Sequence, residues 1–174
     1  MVNDLLLYKY SPEYFHYYFN LIDTNDIVDA LEKSKNLTME LFESINEEKE
    51  NYSYSAGKWT TKEVIRHIID TERIFAYRAL RFSRFDKTEL PGFDENAYVD
   101  SIKPLEQDFR ALTDEYFIVR DSSISLFKSM TNEMLDFLGT ANKVKVSTKA
   151  IGFMIAGHNL HHCNFLMEKY ITEK

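Results

Sequence analysis

Five glycines and three prolines are the only strong backbone breakers in this chain of 174 residues, and they fall unevenly. Gly57, the pair Pro91–Gly92, Pro104 and Gly139 punctuate it, while Gly152 and Gly157 sit inside a later apolar pattern. Between the breaks, apolar residues recur every three or four positions rather than every second one. That period belongs to helices, so the chain is restricted to a few long helical segments joined by loops.

Local signals place the segments. Ser11 as cap and Pro12 at a first helical position predict a short helix over 12–21. A helix over 25–50 follows, with Asn25 as cap and Ile27, Leu31, Thr38, Leu41, Phe42 and Ile45 along one stripe. The run WTTKEV carries the strongest start signal. Thr60 caps, Glu63 completes a capping box, and Trp59 and Val64 form a hydrophobic staple, so a helix runs from there to 83 or 84. The connection FDKTELPGFDENAYVDSIK at 85–103 is longer than two helices need, and such loops often carry function. A third long helix is predicted over 104–138, with a break near Thr131 and Gly139 as C-cap. A fourth covers 148–171, capped by Ser147 or Thr148. Four long helices and a short N-terminal one predict an all-α four-helix bundle, one domain over 1–174.

Charge and cysteine content exclude several classes. Lys and Arg number 21 against 28 Asp and Glu, a formal charge of −7. A nucleic-acid binder normally shows the opposite sign, so no nucleic-acid partner is expected. Cys163 is the single cysteine, so no internal disulfide forms, which fits a reducing compartment. No apolar run approaches the ~18 residues of a membrane span. The opening MVNDLLLYKYSPEY lacks a basic segment and a cleavage site, so no leader is expected. These features predict a cytoplasmic protein without a membrane partner.

Three of the five histidines lie in GHNLHH at 157–162. His158 and His162, four apart, share a helix face with Ile151, Ile155 and Phe165, so both point inward. His67 is inward on its own stripe, with Val64, Thr71, Ile74 and Arg78. A bundle can bring the two helices together, and two readings stay open. Three inward imidazoles can form an open metal site. They can equally form a polar seam, hydrogen-bonded to buried Tyr or Asp side chains. His161, about 100° round the helix, belongs beside the cluster or on the surface. Cys163 reads as a small buried hydrophobe and His16 as a packing or surface residue. Asp70 could orient the His67 ring as an outer carboxylate, or pair with Arg66 or Arg73. Arg78 stands about 16 Å along the axis from His67 and could meet the far end of an extended anionic cofactor. Arg73 and Arg81 are the other basic candidates on this helix. Residues 91–98 are predicted to border the pocket, which requires the connection to run back along the bundle.

The run GKWTTKEVIRHIIDTERIFAYRALRFSRFDKTELPGFDENAYV at 57–99, paired with IAGHNLHHCNFLMEKY at 155–170, resembles the DinB-like superfamily. This is a metal-binding four-helix-bundle group that includes bacillithiol transferases of the YfiT type. The detailed resemblance covers about a third of the chain. It implies an up-down-down-up bundle with a long connection between its second and third helices, and a homodimer. It implies one divalent metal on His67, His158 and His162, with zinc or nickel first and iron or manganese as further candidates. The implied reaction joins a low-molecular-weight thiol, as second cofactor, to a small electrophile through a metal-activated thiolate. Metal-dependent hydrolysis and a non-catalytic metal- or partner-binding bundle are the alternatives.

Overall fold

Side-chain caps set where the helices begin. The computed structural model describes residues 5–172, so the reading of residues 1–4 as free of a leader lies outside the described residues. The elements are α1 Leu5–Lys9, α2 Glu13–Phe19, α3 Ile27–Ser44, α4 Glu47–Glu50, α5 Thr61–Ser83 and α6 Glu95–Ser101. They continue as α7 Phe109–Lys128, α8 Asn132–Asp136, β1 Leu138–Ala141, β2 Val144–Ser147, α9 Thr148–Leu166 and a π-helical turn Met167–Ile171. At α5 the capping box forms as predicted: Thr60 accepts from the Glu63 amide, and the Glu63 carboxylate accepts from the Thr60 amide at 2.7 Å. Ser147 caps α9 by accepting from the Ala150 amide at 3.0 Å.

Several boundaries differ from expectation. Asp26, not Asn25, caps α3, because its carboxylate accepts from the Asp29 amide at 2.8 Å. The helix predicted over 25–50 breaks at Ile45, whose backbone is extended, and Asn46 caps α4 afresh. Pro12 precedes α2 without any side-chain cap bond, and α1 had no sequence signal. Asp108 starts α7, four residues after Pro104, and Thr131 caps α8 at the predicted break. The largest correction concerns 138–147. Instead of ending a helix, these residues form an antiparallel hairpin in register Leu138↔Ser147 to Ala141↔Val144. Asn142 and Lys143 both take positive φ at its turn, the backbone that matches a two-residue loop to strand twist. Gly139 is therefore no helix cap. It lies against the Phe82 ring, where any Cβ would collide.

Side-chain pairs give the helix directions. Lys128 meets Glu32 and Tyr116 meets Thr38, so α7 runs antiparallel to α3. Lys62 meets the Gln107 carbonyl and Arg120 meets Glu72, so α7 runs parallel to α5. Asn159 reaches Thr38, and Gly152 packs on Ile27, so α9 runs parallel to α3. The Tyr170 hydroxyl, just past α9, donates to the Trp59 carbonyl just before α5, so these two are antiparallel. The bundle is thus up-down-down-up. Because α5 and α7 are parallel, the chain between them must travel the length of the bundle.

Apolar packing fills the core from both ends, with Phe19, Leu31, Phe82 and Phe153 in one cluster and Ile65, Ile69, Leu112 and Leu166 in the other. A buried ion pair ties three helices together. Arg120 of α7, 0% exposed, donates to Glu72 of α5 through Nε and Nη2, both at 2.8 Å, and through Nη1 to the Leu31 carbonyl of α3 at 3.1 Å. Among the described residues no helix is long and apolar enough to cross a membrane.

Candidate metal centre

The capping box fixes the start of α5, and His67 follows two turns in. Opposite it, α9 presents His158 and His162 one turn apart. The His67 and His158 Nε2 atoms lie 3.1 Å apart, as do those of His158 and His162. One ligand atom from each ring falls within 4.8 Å of the others. His67 and His158 are buried and His162 partly so. Burial pushes His67 down to about 4, with His161 adding a smaller repulsion. Burial first, then the neighbouring imidazoles, holds His158 and His162 well below the usual histidine range. All three rings are therefore neutral at physiological pH.

Within the protein, the three neutral rings do not satisfy one another as a closed polar seam would. Each neutral imidazole carries one N–H, and three converging Nε2 atoms cannot all be paired by one another. Among the described residues none of the three bonds to a tyrosine or aspartate. The hydroxyl that meets the cluster is that of Thr71, 3.5 Å from His67 Nδ1. The donor set instead fits a cation. Two imidazoles on a tetrahedral zinc, at ~2.05 Å each, put their nitrogens about 3.3 Å apart. The observed 3.1 Å spacings are close to that.

The three rings line a cavity of about 470 Å³. Its walls include Tyr18 of α2, Phe75 and Arg78 of α5, Phe93 of the connection, Val146 of β2 and Met154 of α9. Gly92, Phe93, Glu95 and Asn96 line the same cavity as His67, as expected of 91–98. The hairpin holds this segment in place. The Leu90 amide donates to the Thr140 carbonyl and the Asn142 amide donates to the Leu90 carbonyl, each at 2.9 Å. The Asn142 side chain then packs so closely on Gly92 that a Cβ there would sit 2.9 Å from its Cγ. Sequence reasoning missed the hairpin as a pocket wall. The available signal was short: Asn142 at a turn, followed by the alternation of Val144 and Val146.

Of the two readings of Asp70, the pairing with Arg66 or Arg73 forms and the outer-carboxylate role beside His67 does not. Its carboxylate faces Arg66 at 3.5 Å and Arg73 at 3.7 Å, not His67. Glu115 of α7 draws both arginines to that side, at 2.6 Å each, and Asp70 follows them. Arg66 in turn keeps the Glu115 carboxyl down at about 2. Arg81 is engaged by Asp86 and Tyr77. Arg78 differs from these: it lines the cavity, is 7% exposed, and donates from Nη2 to the Pro91 carbonyl at 2.8 Å. His161 lies beside the cluster with its Nδ1 3.1 Å from the Tyr17 hydroxyl. Cys163 is buried, 3.3 Å from the Thr38 hydroxyl. His16 packs on Tyr8, its Nε2 3.0 Å from that residue's carbonyl oxygen.

Known proteins resemble this chain in sequence or in fold. A curated protein of Oceanobacillus iheyensis, named "Putative metal-dependent hydrolase", is 25% identical over 147 residues, 80% of this chain and 81% of that protein. Among solved structures, YfiT from Bacillus subtilis, described as "a probable metal-dependent hydrolase with an unusual four-helix bundle topology", matches with TM-score 0.72 and 16% identity over 82% of each chain. A DinB-like protein of the same organism, YjoA, matches with TM-score 0.60 and 21% identity over 82% of this chain and 87% of its own. Both likenesses are of fold. The DinB superfamily profile matches residues 30–166, a span that takes in most of α3, all of α5, α7 and α9, and His67, His158 and His162. The chain belongs to the DinB superfamily.

Proposed function

We propose that this chain is a metal-dependent enzyme that joins a low-molecular-weight thiol to a small electrophile. The observation that carries this reading is the donor set: three neutral imidazoles converging at the wall of a cavity, with no fourth His, Cys, Asp or Glu in the group among the described residues. Three protein ligands and an open position are the pattern of catalytic rather than structural zinc sites. A divalent ion there, zinc or nickel, with iron or manganese as further candidates, lowers the pKa of a thiol or water and so supplies a nucleophile at neutral pH. His67, His158 and His162 hold it. The rings of Trp59 and Tyr18 flank His67 and His158, with centroids 5.0 and 5.9 Å away, and restrict how the imidazoles turn. Phe75, Phe93 and Met154 offer an apolar wall to the electrophile.

The proton inventory favours a thiol over water. Glu95 is the one carboxylate among the residues lining the cavity, and it is exposed on α6. Hydrolysis usually draws on a positioned base to take the proton from water. A thiol, with a free pKa of about 8.5 against about 15.7 for water, needs less help from a metal or a base to lose its proton. In the transfer, a sulfur–carbon bond forms and the electrophile's bond to its leaving group breaks. The leaving group takes that electron pair, and the thiol proton goes to solvent. Hydrolysis is the second reading, favoured by the names of the relatives. The proposal includes a homodimer, as the sequence resemblance implies, and a cytoplasmic location, which the single cysteine fits.

The test gives metal-loaded protein, purified without an affinity tag, a generic electrophile with bacillithiol, glutathione, cysteine or no thiol. The expected result is thiol-dependent turnover that disappears in His158→Ala together with about one equivalent of metal. Turnover without thiol assigns the hydrolase. No turnover in any mixture assigns a non-catalytic bundle.

A further inference from the structure

Arg78 is the one cationic side chain among the residues lining the cavity, and it is placed unusually for an arginine. Buried arginines normally meet a carboxylate, because an unpaired charge away from water is costly. The chain's other buried arginines do: Arg120 meets Glu72 and Arg66 meets Glu115. Arg78, 7% exposed, forms no salt bridge among the described residues. Its single hydrogen bond among the described residues runs from Nη2 to the Pro91 carbonyl. Nε and Nη1 have no hydrogen-bond partner among the described residues, yet they are not among the sealed, unsatisfied polar atoms, so they open onto the cavity.

The group is also held in a defined pose. Its guanidinium carbon lies 5.3 Å from the Phe75 ring centre and 5.9 Å from that of Phe93, so two ring systems and the Pro91 carbonyl fix its plane. Phe75 is three residues earlier on α5, so the side chain folds back toward the histidines. His67 leans the same way, but the longer arginine reaches further, so the roughly 16 Å axial rise between His67 and Arg78 shrinks to a gap on the order of 10 Å. One cation with free donors in a fixed fork suits a planar monoanion. A phosphate dianion would call for more positive charge than one arginine, and Glu95 on the same cavity opposes it further.

We propose that Arg78 anchors a carboxylate of the small-molecule ligand, whose reacting end lies on the order of 10 Å away at the three histidines. The substrate class is therefore an acid-tailed molecule that spans the cavity. This rests on the metal-dependent reading of the site, but its test is separate from turnover.

The probes are 8-mercaptooctanoate and its methyl ester, alike except for the charge. Each is titrated by calorimetry into metal-loaded wild-type protein and into Arg78→Gln and Arg78→Lys. Glutamine keeps a donor for the Pro91 carbonyl without the charge, and lysine keeps the charge without the fork. Unchanged metal content and helicity establish that the variants are folded. The acid should bind wild type about tenfold or more tighter than the ester, the usual worth of a hydrogen bond to a charged group. Arg78→Gln should bind acid and ester alike, and Arg78→Lys should keep part of the preference. Equal binding of the two probes to wild type, no binding of the acid, or a preference that survives in Arg78→Gln overturns the proposal. A carboxylate preference that depends on Arg78 in a protein without thiol-dependent turnover would overturn the transferase reading and leave the anchor standing.

Discussion

Replacing Gly157 by alanine should destabilise this protein although it improves a helix. Gly157 lies inside α9, one residue before His158. In an open helix interior, alanine is worth up to about 1 kcal/mol over glycine. Here α2 crosses α9 at this point. A Cβ would sit 2.8 Å from the Tyr18 carbonyl carbon and 2.9 Å from the Tyr18 Cβ, and closer still to the Tyr18 carbonyl oxygen. Ordinary contact begins at 3.4 Å, so α2 must withdraw by at least 3.4 − 2.8 = 0.6 Å. The obstacle is backbone and cannot swing aside. Its movement also loosens Phe15 and Phe19, which are buried and meet Phe75 and Phe153 edge-on. Overpacking of this kind costs about 1–3 kcal/mol, and a backbone clash belongs in the upper half of that range. The net expectation is a loss of about 1–2 kcal/mol. Urea denaturation of metal-free protein should show it as a midpoint lower by about 0.5–1 M with an unchanged slope. Metal should still bind, because the three histidines stand on α5 and α9, although the Tyr18 ring that flanks His158 moves with α2. A variant as stable as wild type, or more so, would refute the reasoning. It would mean that α2 rides loosely on α9 and that helix propensity decides the sign.

Arg120→Met should cost about 3–5 kcal/mol, because it strands Glu72, itself 3% exposed, without a partner. Arg120→Met combined with Glu72→Leu should recover most of that loss in the same denaturation assay, and a single-variant cost near zero would reject the buried pair as structural. The metal-free protein should lose stability in acid through its histidines. Burial holds His67 at about 4 when folded, against 6.5 for an ordinary histidine, so below 6.5 the unfolded chain takes up protons that the folded one refuses. Stability is therefore complete above 6.5 and declines as pH falls toward 4; melting temperatures that stay level between pH 7.5 and 5 would contradict this. Thr60→Ala removes the cap of α5 and should lower stability by about 1 kcal/mol in the urea assay, with no change counting against the capping box.

Features determined by residues a few positions apart were legible in the sequence. Thr60 and Glu63 announce the start of α5 because a capping box closes within one turn. His158 and His162 share a face because helical rise and twist leave no other choice. The inward stripe of His67 follows from the same periodicity, so the three candidate ligands, and with them the all-α bundle, could be named from spacing alone. What no local rule contains is competition between distant partners. Asp70 had histidine and arginine neighbours at almost equal sequence distance; Glu115, on another helix, pulls Arg66 and Arg73 across and settles the choice. The segment 138–147 has apolar residues compatible with a helix end. It becomes a hairpin because Leu90 supplies backbone partners to Thr140 and Asn142, and because Gly139 must pass against Phe82. Arg78 could be placed on the His67 stripe by counting. That it lacks a carboxylate is a property of everything packed around it, since burial and pairing depend on which surfaces the other helices and the hairpin bring to it. Backbone hydrogen bonding decided the helices and their faces; the choice of side-chain partners, and hence the charge of the cavity, was left to tertiary packing.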